Sequence, residues 1–308
     1  MSELAHVPVM LRECVELLNI RPGGVYVDMT LGLGGHAEAV CAALDAGRLI
    51  GFDKDGAALE RAAVRLARFG DRFTAVRADY RRLAGELDRL GIPAVDGILC
   101  DMGVSSLQLD DAERGFSYRK DAALDMRMDR NAALTADEIV NAWPLAEVER
   151  ILREYGEERY ARRIAAAIGR ARPIRGTLAL GTVITDAMPA QARREAQHPA
   201  RRSFQGIRMA VNDELGGVMQ GIEAAVQALA PGGRLVALTF HSLEDRAVKR
   251  IFQAAASPCT CPPDFPVCIC GRTPVVKAVG PQPCLPGEAE IRENPRAHSA
   301  KLRVVEKL

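Results

Sequence analysis

Short apolar runs alternate with amphipathic stretches over the first hundred residues, and this rhythm limits most what the chain can fold into. Gly24–Met29 (GVYVDM) reads as a short buried strand, and His36–Leu44 as the helix after it. Arg48–Phe52 is a second strand. Gly56–Phe69 follows as a helix with Ala, Leu and Val on one face and arginines on the other. Phe73–Arg77, Leu83–Leu90 and Val95–Cys100 continue as strand, helix and strand. Strands joined through helices by tight turns run parallel and are covered on both faces. The expected class is α/β, with a doubly wound, mostly parallel, Rossmann-like sheet.

The rhythm breaks after Asp101. Gly103–Arg130 is polar, rich in Asp and Arg, and too long for an ordinary connection. Thr135–Arg172 reads as helices. Thr135 and Glu138 have capping-box spacing. Leu145, Val148, Ile151 and Leu152 mark one apolar stripe, and Tyr160, Ile164, Ala167 and Ile168 another. Leu178–Met188 is a further helix, and no strand is expected between about Asp101 and Arg234. Alternation returns with a long helix Asn212–Leu229, a turn at Pro231-Gly232-Gly233, a strand Arg234–Phe240, a helix Leu243–Ala254 and a last strand Lys301–Val305. The simplest architecture inserts an all-helical domain, 113–207, into an α/β domain formed by 1–112 and 208–308.

The chain has 308 residues with 48% hydrophobic and 26% charged side chains, enough to bury a large core. Its net charge is +1, so any contact with nucleic acid must come from local patches. Met1–Met10 lacks the pattern of a signal peptide, and no apolar run reaches the length of a membrane span. A cytoplasmic protein away from membranes is expected, and the oligomeric state is open. Cys14, Cys41 and Cys100 sit in apolar stretches and read as small buried thiols. Cys259-Thr-Cys261 and Cys268-Ile-Cys270 lie close together in a Pro-rich stretch. Their C-x-C spacing is tighter than the usual C-x₂-C of zinc sites. Structural zinc, reduced thiols and a redox role all stay open, and no metal ligand is assigned.

The strongest local signal is Asp28-Met-Thr-Leu-Gly-Leu-Gly-Gly-His36, which follows a strand and opens a helix. Glycines there let the backbone approach a ligand, and the helix start offers N–H groups. From Gly32 the spacing G-x-G-x-x-A also matches the dinucleotide fingerprint, with Asp53 placed to bind a ribose. NAD and S-adenosyl-L-methionine both carry that ribose. Asp28 favours the second. A carboxylate beside the glycines repels a pyrophosphate but attracts an ammonium and a sulfonium. A helix cap is the plainer role for Asp28. Tyr80 follows the third strand, where it either stacks on an adenine or packs in the core. Asp101 closes the fourth strand beside the switch point where such sheets bind ligands.

Several longer stretches resemble one family. They are His6–Val9, Asp28–His36, Asp101–Asp111, Glu113–Ser117, Leu124–Asp129, Tyr155–Arg159, Phe240–Asp245 and Asn294–Arg303. In this order they resemble the bacterial 16S rRNA (cytosine-N4) methyltransferases, called RsmH or MraW. The resemblance implies methyl transfer from S-adenosyl-L-methionine to the exocyclic N4 of one cytidine in the decoding centre of 16S rRNA, in the small ribosomal subunit. It places donor-binding residues at Gly34, Gly35, His36, Asp53, Tyr80, Asp101 and Gln108, beside the Asp28 and Gly32 read above. It also implies an inserted helical domain. Asp101-Met-Gly-Val stands where many amino-methylating enzymes carry a Pro-Pro-aromatic motif, so their catalytic geometry does not transfer.

Within that reaction, Asp101 is the expected catalytic acceptor of an N4 hydrogen bond. Ser105, Ser106 and Gln108 open the long loop, as contacts to base or donor or as turn and capping residues. Arg114, Arg119, Lys120, Arg127 and Arg130, with Phe116 and Tyr118 interleaved, suit phosphate contacts and base stacking. Arg201, Arg202, Arg208, Arg292, Arg296, Lys301 and Arg303 are further candidate phosphate contacts. His241 and Ser242 either line the site or serve structure. Two other functions stay in view: an NAD-dependent oxidoreductase, and a non-catalytic ribosome-assembly factor on a methyltransferase fold.

Overall fold

The computed structural model describes residues 7–195, 197–262 and 269–308; His6 and Cys268 lie outside the described residues. The chain divides into two compact units, Met1–Gly103 with Leu215–Leu308, and Val104–Glu214.

The first unit is built on a seven-stranded sheet. Its strands are β1 (Val25–Asp28), β2 (Arg48–Asp53), β3 (Phe73–Arg77), β4 (Val95–Asp101), β5 (Leu229–Thr239), β6 (Val276–Ala278) and β7 (Lys301–Lys307). Their order is β3-β2-β1-β4-β5-β7-β6. The first five run parallel, and β7 pairs antiparallel with both β5 and β6.

Both faces of the sheet are covered, which is why its strands read as near-continuous apolar runs. Val27, Ile50, Ile98 and Leu235 pack on one face against Val218, Ile222 and Val226 of the helix Glu214–Ala228 and Val248 and Phe252 of the helix Ser242–Ala256. Tyr26, Leu49, Leu99 and Val236 pack on the other against the helices Leu11–Leu18, Gly35–Ala43 and Gly56–Leu66. Each such fully buried side chain contributes about 1.5–3 kcal/mol. Chain order reverses between β1 and β4, so Asp28 and Asp101 end adjacent strands at the point where open α/β sheets hold ligands.

Two details differ from the sequence expectation. The long helix over 212–229 is two helices, because Asp213 takes a left-handed φ of 46° that ends Arg201–Asn212 before Glu214–Ala228 begins. The turn at Pro231–Gly233 lies inside β5 as an irregularity. Leu229 pairs with Val95 and Arg234 with Gly97, so the residues between are looped out of the ladder. The helices Leu11–Leu18 and Arg201–Asn212 and the short β6 were not anticipated.

The second unit holds the helices Ser106–Asp110, Ala136–Asn141, Leu145–Glu154, Ala161–Ala171, Thr177–Ala187 and Arg201–Asn212, and no strand among its described residues. The expected stripes form its core: Val148, Ile151 and Leu152 meet Ile164 and Ile168, with Leu180, Ile184, Phe204 and Ile207. Thr135 caps its helix by accepting the Glu138 N–H at 3.3 Å.

Candidate functional site

The site in the first unit begins where β1 ends. Leu31 N–H donates to the Phe52 carbonyl at 2.8 Å, which ties the loop to β2. Gly32 and Gly34 take left-handed φ of 50° and 76°, so side chains there would strain the turn. Gly34 caps the helix Gly35–Ala43, and a Cβ on Gly35 would overlap Pro8. Because Gly34 is the cap, Asp28 does not fill the capping role.

Asp53 anchors the loop from the end of β2. Its Oδ2 accepts the Gly32 N–H at 2.9 Å and its Oδ1 the Asp55 N–H at 2.8 Å. Burial pushes its pKa up to about 6, although those two donors and Lys54 oppose the shift. Asp28 is 2% exposed, and its Oδ1 accepts the Thr30 N–H at 3.0 Å. Burial and then the charge of Asp53 push Asp28 up to about 7.

Asp101 is shifted furthest. Burial, then the charges of Asp28 and Glu244, push its pKa up to about 8. Its backbone N–H donates to Thr30 Oγ1 at 2.6 Å. Its Oδ1 is buried with no hydrogen-bond partner among the described residues. Its Oδ2 lies 3.6 Å from His36 Nδ1. His36 is buried, and its Nε2 is 3.0 Å from the Val9 carbonyl. A carbonyl only accepts, so Nε2 carries a proton there.

Glu244 completes the acidic group and was not picked out from the sequence. It is 1% exposed, and its Oε2 accepts the N–H groups of Phe240 and His241 at 3.0 and 3.3 Å. The signal was the spacing His241-Ser-Leu-Glu244, which the structure uses as a capping box at the start of the helix Ser242–Ala256. His241 thus makes the capping bond at the end of β5.

Tyr80 begins a short 3₁₀ turn, Tyr80–Arg82, after β3. Asp79 caps that turn by accepting the Arg81 N–H at 3.0 Å and lies 3.5 Å from Lys54. The Tyr80 ring is half-buried against the helix Glu214–Ala228, where a Cβ on Gly221 would overlap it. The structure thus gathers Asp28, Gly32, Gly34, Gly35, His36, Asp53 and Asp101 at one end of the sheet.

The remaining candidate residues belong to the second unit. Ser105 and Gln108 form a capping box: Ser105 Oγ accepts the Gln108 N–H at 3.3 Å, and Gln108 Oε1 accepts the Ser105 N–H at 3.0 Å. Ser106 is the first residue of that helix, and its side chain is outside the described part. Arg114, expected at a phosphate, is 3% exposed and donates to the carbonyls of Arg127 and Met128 at 2.9 and 3.0 Å. Phe116, expected to stack on a base, is 6% exposed in the helical core. Arg127 is held by Asp125 at 2.7 Å and by the carbonyls of Arg130 and Ala132. These three side chains are committed to holding the long loop. The exposed cations of that stretch are Arg119, Lys120 and Arg130. Tyr118 stacks on His198 with ring centroids 4.3 Å apart.

Two other arginines are also bound within the chain. Arg208 pairs with Glu214 at 2.8 Å, and the buried Arg303 pairs with Asp245 at 2.7 Å. Arg201, Arg202, Arg292 and Arg296 are exposed.

Four carboxyl groups at one sheet end, three of them pushed up in pKa, make a poor seat for a pyrophosphate and a good one for a cationic ligand. Residues 3–308 match the MraW methylase family. The chain belongs to that family. The methylase is 55% identical over 307 residues to "Ribosomal RNA small subunit methyltransferase H" of Symbiobacterium thermophilum, covering 98% of this chain and 96% of that one. It is 53% identical over 309 residues to the protein of the same name from Carboxydothermus hydrogenoformans, covering 99% of each. It is 52% identical over 308 residues to that of Geobacter sulfurreducens, again covering 99% of each. The methylase is therefore a methyltransferase, and its cofactor is S-adenosyl-L-methionine. The dinucleotide alternative, drawn from the Gly32–Ala37 spacing and Asp53, falls away. Among the described residues, no helix is long and apolar enough to cross a membrane.

Proposed function

We propose that this methylase modifies the exocyclic N4 of one cytidine in the decoding centre of 16S rRNA, within the small ribosomal subunit of the cytoplasm. The observation that carries the reading is the buried Oδ1 of Asp101, which has no hydrogen-bond partner among the described residues. A buried acceptor left unpaired costs about 1–3 kcal/mol, so it calls for a donor from a ligand. The relatives' shared name supports ribosomal RNA of the small subunit as the substrate.

S-adenosyl-L-methionine, when bound, supplies an electrophilic methyl and a positive sulfonium. Asp28, Gly32, Gly34, Gly35, His36, Asp53, Tyr80 and Asp101 are the residues proposed to hold it. Asp53 still has lone pairs for ribose hydroxyls beyond the two amides it accepts. The amine of cytosine is a weak nucleophile, because its lone pair is delocalised into the ring. Orienting it is the larger part of the task. Asp101 accepts an N–H of the amine and takes up the positive charge that develops on nitrogen. A carboxyl with a pKa of about 8 is largely protonated at neutral pH. A cation beside it draws the pKa down and leaves it ready to accept. Ser105, Ser106 and the exposed Arg119, Lys120 and Arg130 of the second unit are proposed to meet the RNA.

The test incubates purified protein and methyl-labelled donor with unmodified small subunits and with naked 16S rRNA, then maps the label. Label on N4 of one cytidine supports the reading. Label on a ring carbon or a ribose overturns it. Binding to subunits with no methyl incorporated would favour the assembly-factor alternative.

A further inference from the structure

The Pro- and Cys-rich stretch between the helix Ser242–Ala256 and β6 has no part in the chemistry above. None of its described residues, 257–262 and 269–275, is buried. A segment without a core of its own has little burial to set against the entropy of holding one conformation. Yet the Sγ atoms of Cys259, Cys261 and Cys270 all lie within 4.8 Å of one another.

The spacing of these sulfurs is informative. Cys259 and Cys270, separated by 11 positions in sequence, bring their Sγ atoms to 3.8 Å. A disulfide needs about 2.05 Å. Thiolates around tetrahedral zinc, at Zn–S distances of about 2.3 Å, stand about 3.8 Å apart along the edge of the tetrahedron. Ile269 N–H also approaches Cys261 Sγ at 3.4 Å.

We propose that Cys259, Cys261 and Cys270 hold one Zn²⁺ as a structural site that clips this stretch to itself ahead of β6. Soft thiolates select zinc over magnesium or calcium, whose preferred ligands are oxygens. The three sulfurs form one face of the coordination tetrahedron. Water or a further protein group takes the fourth position. The short C-x-C spacing is workable because the third ligand arrives from the far arm of the loop.

The full chain is purified under reducing conditions without chelator, and bound zinc is measured by mass spectrometry. About one equivalent is expected, falling below about a tenth in the double variant Cys259→Ser/Cys270→Ser. The variant should keep its far-ultraviolet dichroism and its donor affinity, which separates loss of metal from loss of fold. Exchange of zinc for Co²⁺ should give intense thiolate-to-metal charge-transfer absorption in the wild type and none in the variant. Three outcomes would overturn the site. One is less than about a tenth of an equivalent in the wild type with no charge-transfer band after Co²⁺ titration. The others are full zinc retention by the double variant, and a Cys259–Cys270 disulfide in peptide mapping of protein kept reduced.

Discussion

Asp28 and Asp101 close adjacent parallel strands, and the charge of Asp28 adds to the burial that pushes the Asp101 carboxyl up to about 8. The chain accepts this cost at the switch point of the sheet. Acidic groups crowded in this way are primed for a positively charged partner.

Asp101→Asn keeps the shape of the side chain but loses the negative charge. Methyl transfer should fall by about 100-fold or more, the scale of a lost acid–base or charge-stabilising group. Initial rates at saturating donor and RNA check this. Near-normal turnover would remove Asp101 from the chemistry.

The ligand-free protein should lose stability as pH rises from 6 to 8. Asp53, Asp28 and Asp101 have folded-state pKa values of about 6, 7 and 8, all above the ordinary carboxylate value. The folded chain therefore holds these protons more tightly than the unfolded chain. The resulting stability is complete below the unfolded pKa and is lost as pH climbs through each folded value. Urea midpoints at the two pH values provide the measurement, and Asp28→Asn should flatten the difference. A midpoint that rises from pH 6 to 8 would contradict the shifts.

Gly221→Ala should weaken donor binding by about 10-fold with little change in kcat, because the new methyl displaces the Tyr80 ring. Gly217→Ala, whose Cβ would stand 3.1 Å from Tyr80 Oη, should do less. Calorimetric Kd values for the two variants give the comparison. Equal affinity in both would separate Tyr80 from the donor.

Phe116→Ala and Lys120→Ala should fail in different ways. Phe116 is buried, so its truncation should cost about 3–5 kcal/mol of stability. Lys120 is exposed, so its loss should leave Tm unchanged and weaken RNA binding in a salt-dependent way. Thermal melts and RNA titrations at two salt concentrations distinguish the two effects. A Phe116 variant with unchanged Tm would return that ring to the RNA surface.

The sheet was readable from the chain because burial on both faces leaves unbroken apolar runs such as Val95–Cys100. The short β6 left no such run, since only Val276 of its three residues is buried. The helix Arg201–Asn212 was hidden by its arginines, although Phe204, Ile207 and Val211 mark a helical stripe. In the site, Asp28, Asp53 and Asp101 could be found because each ends an apolar strand. Glu244 shows in the sequence only as the last residue of a capping-box spacing, because its burial and its hydrogen bonds to Phe240 and His241 arise only when the β5 end and the next helix fold together. The second unit gave the opposite lesson. Arg114 and Phe116 look like a nucleic-acid surface in sequence, but carbonyls and apolar neighbours claim them first.

A cationic donor takes its place among carboxyls that are partly protonated without it. Calorimetric titration of S-adenosyl-L-methionine at pH 7, in two buffers of different ionisation enthalpy, tests it most directly. Because Asp28 and Asp101 have raised pKa values of about 7 and 8, binding should release protons, and Asp101→Asn should release fewer. Binding with no proton release, or proton uptake, would contradict the account.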